Sequence, residues 1–136
     1  MKKEHIDVVE MPKEGYQPLV DFETWRVAVL KYCEDVRLEN IKTMQRHMET
    51  DEVFVLLKGN CTLITGESGD DIGKIDQIKL EPHKLYNVKK GVWHNHVMDE
   101  EGEVLIVENQ NTCDDNSPIL PLSEQKILEM KDRLAD

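Results

Sequence analysis

Four of the five histidines, His47, His83, His94 and His96, fall within fifty residues of one another in the middle of the chain. Alternate residues of a β-strand point to the same face, so Gln45 shares a face with His47, and His94 shares one with His96. Glu52 opens a strongly apolar stretch just after the first pair. If the two strands line one cavity, His47, Glu52 and His94 converge as two imidazole nitrogens and one carboxylate oxygen. Such a donor set suits Fe(II), Mn(II), Zn(II), Ni(II) or Co(II) and leaves positions open for water or substrate. The plainer reading makes Glu52 a strand-edge carboxylate paired with Arg46. On the same plain terms His83, beside Pro82, is solvated, Trp93 is wall or core, and Cys61 is a small apolar filler. Cys33, Cys61 and Cys113 are odd in number and lack any C-x-x-C spacing, which suggests neither a disulfide framework nor a thiolate zinc site.

Positioning such residues takes strands, and strands dominate the middle of the sequence. Trp25 to Tyr32 is rich in β-branched and aromatic residues, Ile41 to Met48 alternates imperfectly, and Glu52 to Leu57 is apolar. Lys58-Gly59-Asn60 reads as a hairpin turn into Cys61 to Thr65. A glycine-rich polar loop over 66–73 precedes shorter strand candidates at Ile75 to Leu80, Leu85 to Val88, Val92 to Met98 and Val104 to Glu108. Many short strands with frequent turns mean an all-β sandwich or barrel. Pro12, Gly15 and Pro18 make residues 1–20 an irregular lead-in. After a loop over 111–121, Ile127, Met130 and Leu134 recur at helical spacing behind a capping Ser123. That helix is expected to pack outside the sandwich or across a subunit boundary.

The chain has 136 residues, a formal net charge of -11, and 28 acidic against 17 basic side chains. One domain of this size buries a real core. The acidic excess repels phosphate backbones and anionic surfaces, which argues against nucleic acid and membrane partners. The longest apolar run, Val53 to Leu57, falls far short of the roughly 20 residues a membrane-spanning helix needs. The N-terminus shows no apolar signal core, so the cytoplasm is the expected compartment.

The stretch from Gln45 to Gly59 resembles the first cupin motif, H-x-H, then Glu after a short gap, then Gly, with His47, Glu52 and Gly59 at matching positions. Lys89 to His94 resembles the second, P-x-G-x-x-H. The likeness covers about residues 40 to 110. It implies an antiparallel double-sheet jelly roll, the cupin barrel, over residues 21–112, followed by a loop and short C-terminal α-helix over 113–136. The resemblance further implies a divalent metal held by His47, Glu52 and His94. Gln45 stands where the family has another histidine and becomes a fourth ligand through its amide oxygen. Lys89 replaces a proline, Glu39 a glycine and Met98 an asparagine. His96, Met98 and Phe54 are expected to line the pocket. The function implied is metal-dependent action on, or binding of, a small metabolite, as an isomerase or epimerase or as a dioxygenase-type cupin. The alternative is a metal-free ligand-binding or structural cupin. Homodimers are expected, since exposed edge strands invite pairing.

Overall fold

The structure, a computed structural model, describes residues 3–135. Ten strands run in chain order as β1 (Gly15–Phe22), β2 (Trp25–Lys31), β3 (Thr43–Gln45), β4 (Glu52–Lys58), β5 (Cys61–Thr65), β6 (Asp76–Lys79), β7 (Tyr86–Val88), β8 (His94–Met98), β9 (Glu103–Asn109) and β10 (Ile119–Pro121). One helix, α1 (Glu124–Ala135), follows them. The strands form two antiparallel sheets of five, ordered β1-β2-β9-β4-β7 and β10-β3-β8-β5-β6. This is the antiparallel double-sheet jelly roll.

Alternation explains how the sheets face each other. Ala28 and Leu30 of β2, Phe54 and Leu56 of β4, and Val104 and Ile106 of β9 point inward, against Cys61 and Leu63 of β5 and Met98 of β8. The opposite face of the second sheet is apolar too. There Met44, Ile64 and Trp93 meet Leu122 and the fully buried Met130 of α1. The helix therefore covers the outside of this sheet, and Ser123 caps it by accepting the Lys126 N–H at 3.1 Å. Full burial of a side chain such as Met130 contributes about 1.5–3 kcal/mol.

Three local expectations change. Strand β1 begins inside the stretch expected to be irregular. Pro18 sits opposite Ala28 on an edge strand, where its missing N–H costs no ladder bond, and the register shifts just beyond it. The short β10 lies within the expected 111–121 loop and pairs with β3 through Leu120 and Met44. Lys58-Gly59-Asn60 is not a hairpin turn. Both edges of β4 are taken, by β7 and β9, so β5 cannot pair with it and joins the other sheet. The connection is a corner, held where Asn60 donates its backbone N–H and side-chain amide to Asp99 at 3.1 and 2.6 Å. Gly59 has φ +70°, and a Cβ there would lie 2.4 Å from the Glu101 carbonyl carbon.

Candidate metal centre

Glu52 projects from the start of β4 in the first sheet and His94 from the start of β8 in the second. His47 follows β3. The Gly91 N–H donates to the His47 carbonyl at 2.8 Å, which ties the two motif-bearing segments together. The three side chains meet between the sheets, with exposures of 8% for His47 and 6% for both Glu52 and His94. One ligand atom from each lies within 4.8 Å of the others. Glu52 Oε1 is 3.2 Å from His47 Nε2 and 2.9 Å from His94 Nε2.

The outer nitrogens of both rings are already committed. His94 Nδ1 lies 2.9 Å from the Val92 carbonyl, an obligate acceptor, so Nδ1 carries the proton. Ser117 donates its hydroxyl proton to Asn116 Oδ1 at 3.0 Å, and that oxygen also takes the Cys113 N–H at 3.1 Å. The Ser117 oxygen is left to accept from His47 Nδ1 at 2.7 Å. Neutral rings in these tautomers both present an Nε2 lone pair to the Glu52 carboxylate. Three electron-pair donors converging in a buried space require a cation among them, a proton or a metal ion. The donor set therefore fits a divalent ion.

Titration follows the same geometry. Burial raises the Glu52 carboxyl, but the hydrogen bonds and charges of His47 and His94 outweigh it and hold Glu52 well below the usual carboxylate range. Burial opposes charge on His47, and the Glu52 carboxylate still raises it above 6.5. His96 has no such partner, and burial pushes it down to about 4.

The other residues expected at the site divide. His96 lines the same cavity as the triad, with its buried Nδ1 unpartnered. Gln45 lines it as well and pairs in register with His94, while its amide N–H donates to the Ser117 carbonyl at 3.0 Å. Phe54 packs behind, its ring centroid 6.3 Å from that of His94 and 6.1 Å from that of His96. Met98 belongs to the core and borders a separate concavity, away from the triad's cavity. Arg46 does not pair with Glu52. It lies over the Trp93 ring at 4.5 Å and donates to the Gly69 carbonyl at 2.8 Å.

Sequence reasoning missed the wall across from the triad. The cavity, of about 350 Å³, is also lined by Tyr16, Arg26, Leu30, Ile106, Glu108 and Ser117. Tyr16 donates its hydroxyl to Glu108. A signal for Glu108 exists in the alternation itself, because it continues the inward series Val104, Ile106 with a charged side chain on an apolar face.

No family model matches the chain, and no curated protein does. Its fold is that of solved cupin structures. A cupin-2 domain protein from Shewanella frigidimarina superposes with a TM-score of 0.53 at 19% identity, covering 74% of this chain and 85% of that one. Streptomyces PAC13 with uridine gives 0.56 at 8% identity, covering 85% and 86%. The capsular polysaccharide assembling protein CapF of Staphylococcus aureus gives 0.56 at 16% identity, with 85% of this chain matched to 32% of that longer one.

Proposed function

We propose that this chain, a jelly roll of the cupin fold, holds one divalent metal ion through His47, Glu52 and His94, with Gln45 as fourth ligand, and acts on a small metabolite in the cavity beside it. The observation that carries this reading is the pair of Nε2 lone pairs aimed at one buried carboxylate oxygen. Iron, manganese, zinc, nickel or cobalt in such a set would polarise a carbonyl for isomerisation or epimerisation, or bind dioxygen beside a chelating substrate. The chain's own residues supply the rest. Val92 and Ser117 orient the imidazoles, Leu30 and Ile106 give the cavity an apolar wall, and Arg26 is the cation that lines it. Chelator-stripped protein tested by thermal shift against the five ions should melt higher with at least one of them, and His94→Ala should abolish the gain.

A second reading, a metal-free cupin that binds a small ligand, draws on the Gln45 amide, whose N–H is engaged by Ser117. Stabilisation by metabolites and by no ion would favour it. Neither reading involves nucleic acid or a membrane. Among the described residues no helix is long and apolar enough to cross one. Unpaired Cys33, Cys61 and Cys113 support a reducing, cytoplasmic setting. A homodimer is supported by the outer face of the first sheet, where register aligns Val20, Val27, Val107 and Val53 beside exposed Phe22 and Trp25. Sedimentation of Trp25→Glu as a monomer beside a dimeric wild type would bear this out.

A further inference from the structure

A buried carboxylate beside the triad has no part in the ligand set. Register pairs Phe54 with Ile106 and Val53 with Val107, which brings Glu52 and Glu108 opposite each other at the next step along β4 and β9. Both are 6% exposed, and both line the same cavity. Like charges directly opposite on adjacent strands repel, and burial strengthens the repulsion.

Protein cations offset it poorly. Arg26 Nη1 is 4.0 Å from Glu108 Oε1, and the same guanidinium is held by Asp21 at 3.3 Å and by the Thr112 carbonyl at 3.2 Å. The other partner of Glu108 is the neutral Tyr16 hydroxyl. Two buried carboxylates thus face one cavity, with Arg26 as the guanidinium that lines it.

We propose that Glu108 is the second carboxylate of the ion site, adding the charge that retains a divalent cation, with Tyr16 as its positioning residue. The proposal rests on the metal-binding reading above. Glu108 stands outside the cluster whose ligand atoms lie within 4.8 Å of one another, so its part is that of a charge beside the ligand set, placed there by the register with Glu52. From there it also offers an acceptor to an O–H or N–H group of a molecule sharing the cavity.

The test is cobalt(II) alone, titrated into full-length protein against a fluorescent chelator. Glu108→Gln should weaken binding by about tenfold or more, the scale at which groups around a metal act. Tyr16→Phe should weaken it less, in the same direction. The metal-free Glu108→Gln protein should melt no lower than wild type, because the repulsion has gone. Tyr16→Phe, which retains the Glu108 carboxylate and removes only its hydrogen bond, carries the test if Glu108→Gln fails to fold. Affinity within about twofold of wild type in both variants would overturn the proposal while leaving the triad intact. So would a loss that vanishes in about 0.5 M salt, since that marks a general field and not a local contact. A wild type that binds no cobalt overturns both this proposal and the reading it rests on.

Discussion

His47 Nδ1 lies 2.7 Å from Ser117 Oγ, a contact that spans seventy residues of sequence and sets which nitrogen of the ring faces the carboxylate of Glu52. Ser117 is 2% exposed, and its own proton goes to Asn116 Oδ1. Ser117→Ala should leave the His47 N–H buried without an acceptor and free the ring to turn. Metal affinity should fall by about tenfold, at the lower end of the range for groups that orient a ligand. Competition with a metal-sensitive dye measures this, and an unchanged affinity would show that the ring is held by packing alone.

Protons and the metal ion compete for the same lone pairs. In the metal-free protein His47 titrates above its ordinary 6.5. Its contribution to stability is then fully present below about 6.5 and is lost as pH rises through the raised value. Glu108, raised from 4.5 to about 7, loses its contribution across that interval in the same direction. The metal-free melting temperature should therefore fall as pH rises above about 6.5. A bound ion reverses the trend, because its affinity grows as protons leave the imidazole. Melting curves with and without the ion at each pH test the crossing.

Gly59→Ala puts a methyl group 2.4 Å from the Glu101 carbonyl carbon, on backbone with φ +70°. The left-handed conformation alone costs about 1–3 kcal/mol for a residue other than glycine, and the clash with backbone adds to it. Urea unfolding should show the loss. A change below half of that range would mean that the corner between β4 and β5 shifts freely.

Met130 is fully buried between α1 and the outer face of the second sheet. Met130→Ala should cost about 2–5 kcal/mol by leaving a cavity there. Metal affinity should stay at the wild-type level, since the helix lies on the face of the sheet opposite the triad. Denaturant unfolding and the dye competition, done on the same protein, separate the two effects.

His47, Glu52 and His94 were legible because their intervals match the resemblance to the cupin motifs, which local sequence carries; strand alternation holds for His94 on β8, whereas His47 lies past the end of β3. Ser123 and the Ile127, Met130, Leu134 series were legible because local sequence carries them too. Tyr16, Arg26, Glu108 and Ser117 reach the cavity only through sheet order. Arg26 is placed opposite Glu108 by the β2 to β9 register, and no local pattern encodes which strands become neighbours. The prolines misled in the same way. Pro18 and Pro121 punctuate the sequence as breakers, yet each sits in an edge strand, where a missing N–H is tolerated. The three residues from Lys58 to Asn60 look like a hairpin because local turn chemistry does not record that both edges of β4 are occupied from a distance.

Whether His47, Glu52 and His94 bind a metal ion is decided by the metal content of protein purified without nickel resin or chelator. Elemental analysis should find about one transition-metal ion per chain in the wild type and a near-complete loss in His94→Ala, whose Nε2 no longer faces Glu52. Substoichiometric metal in the wild type, unchanged by His94→Ala, would mean that these three side chains hold no ion.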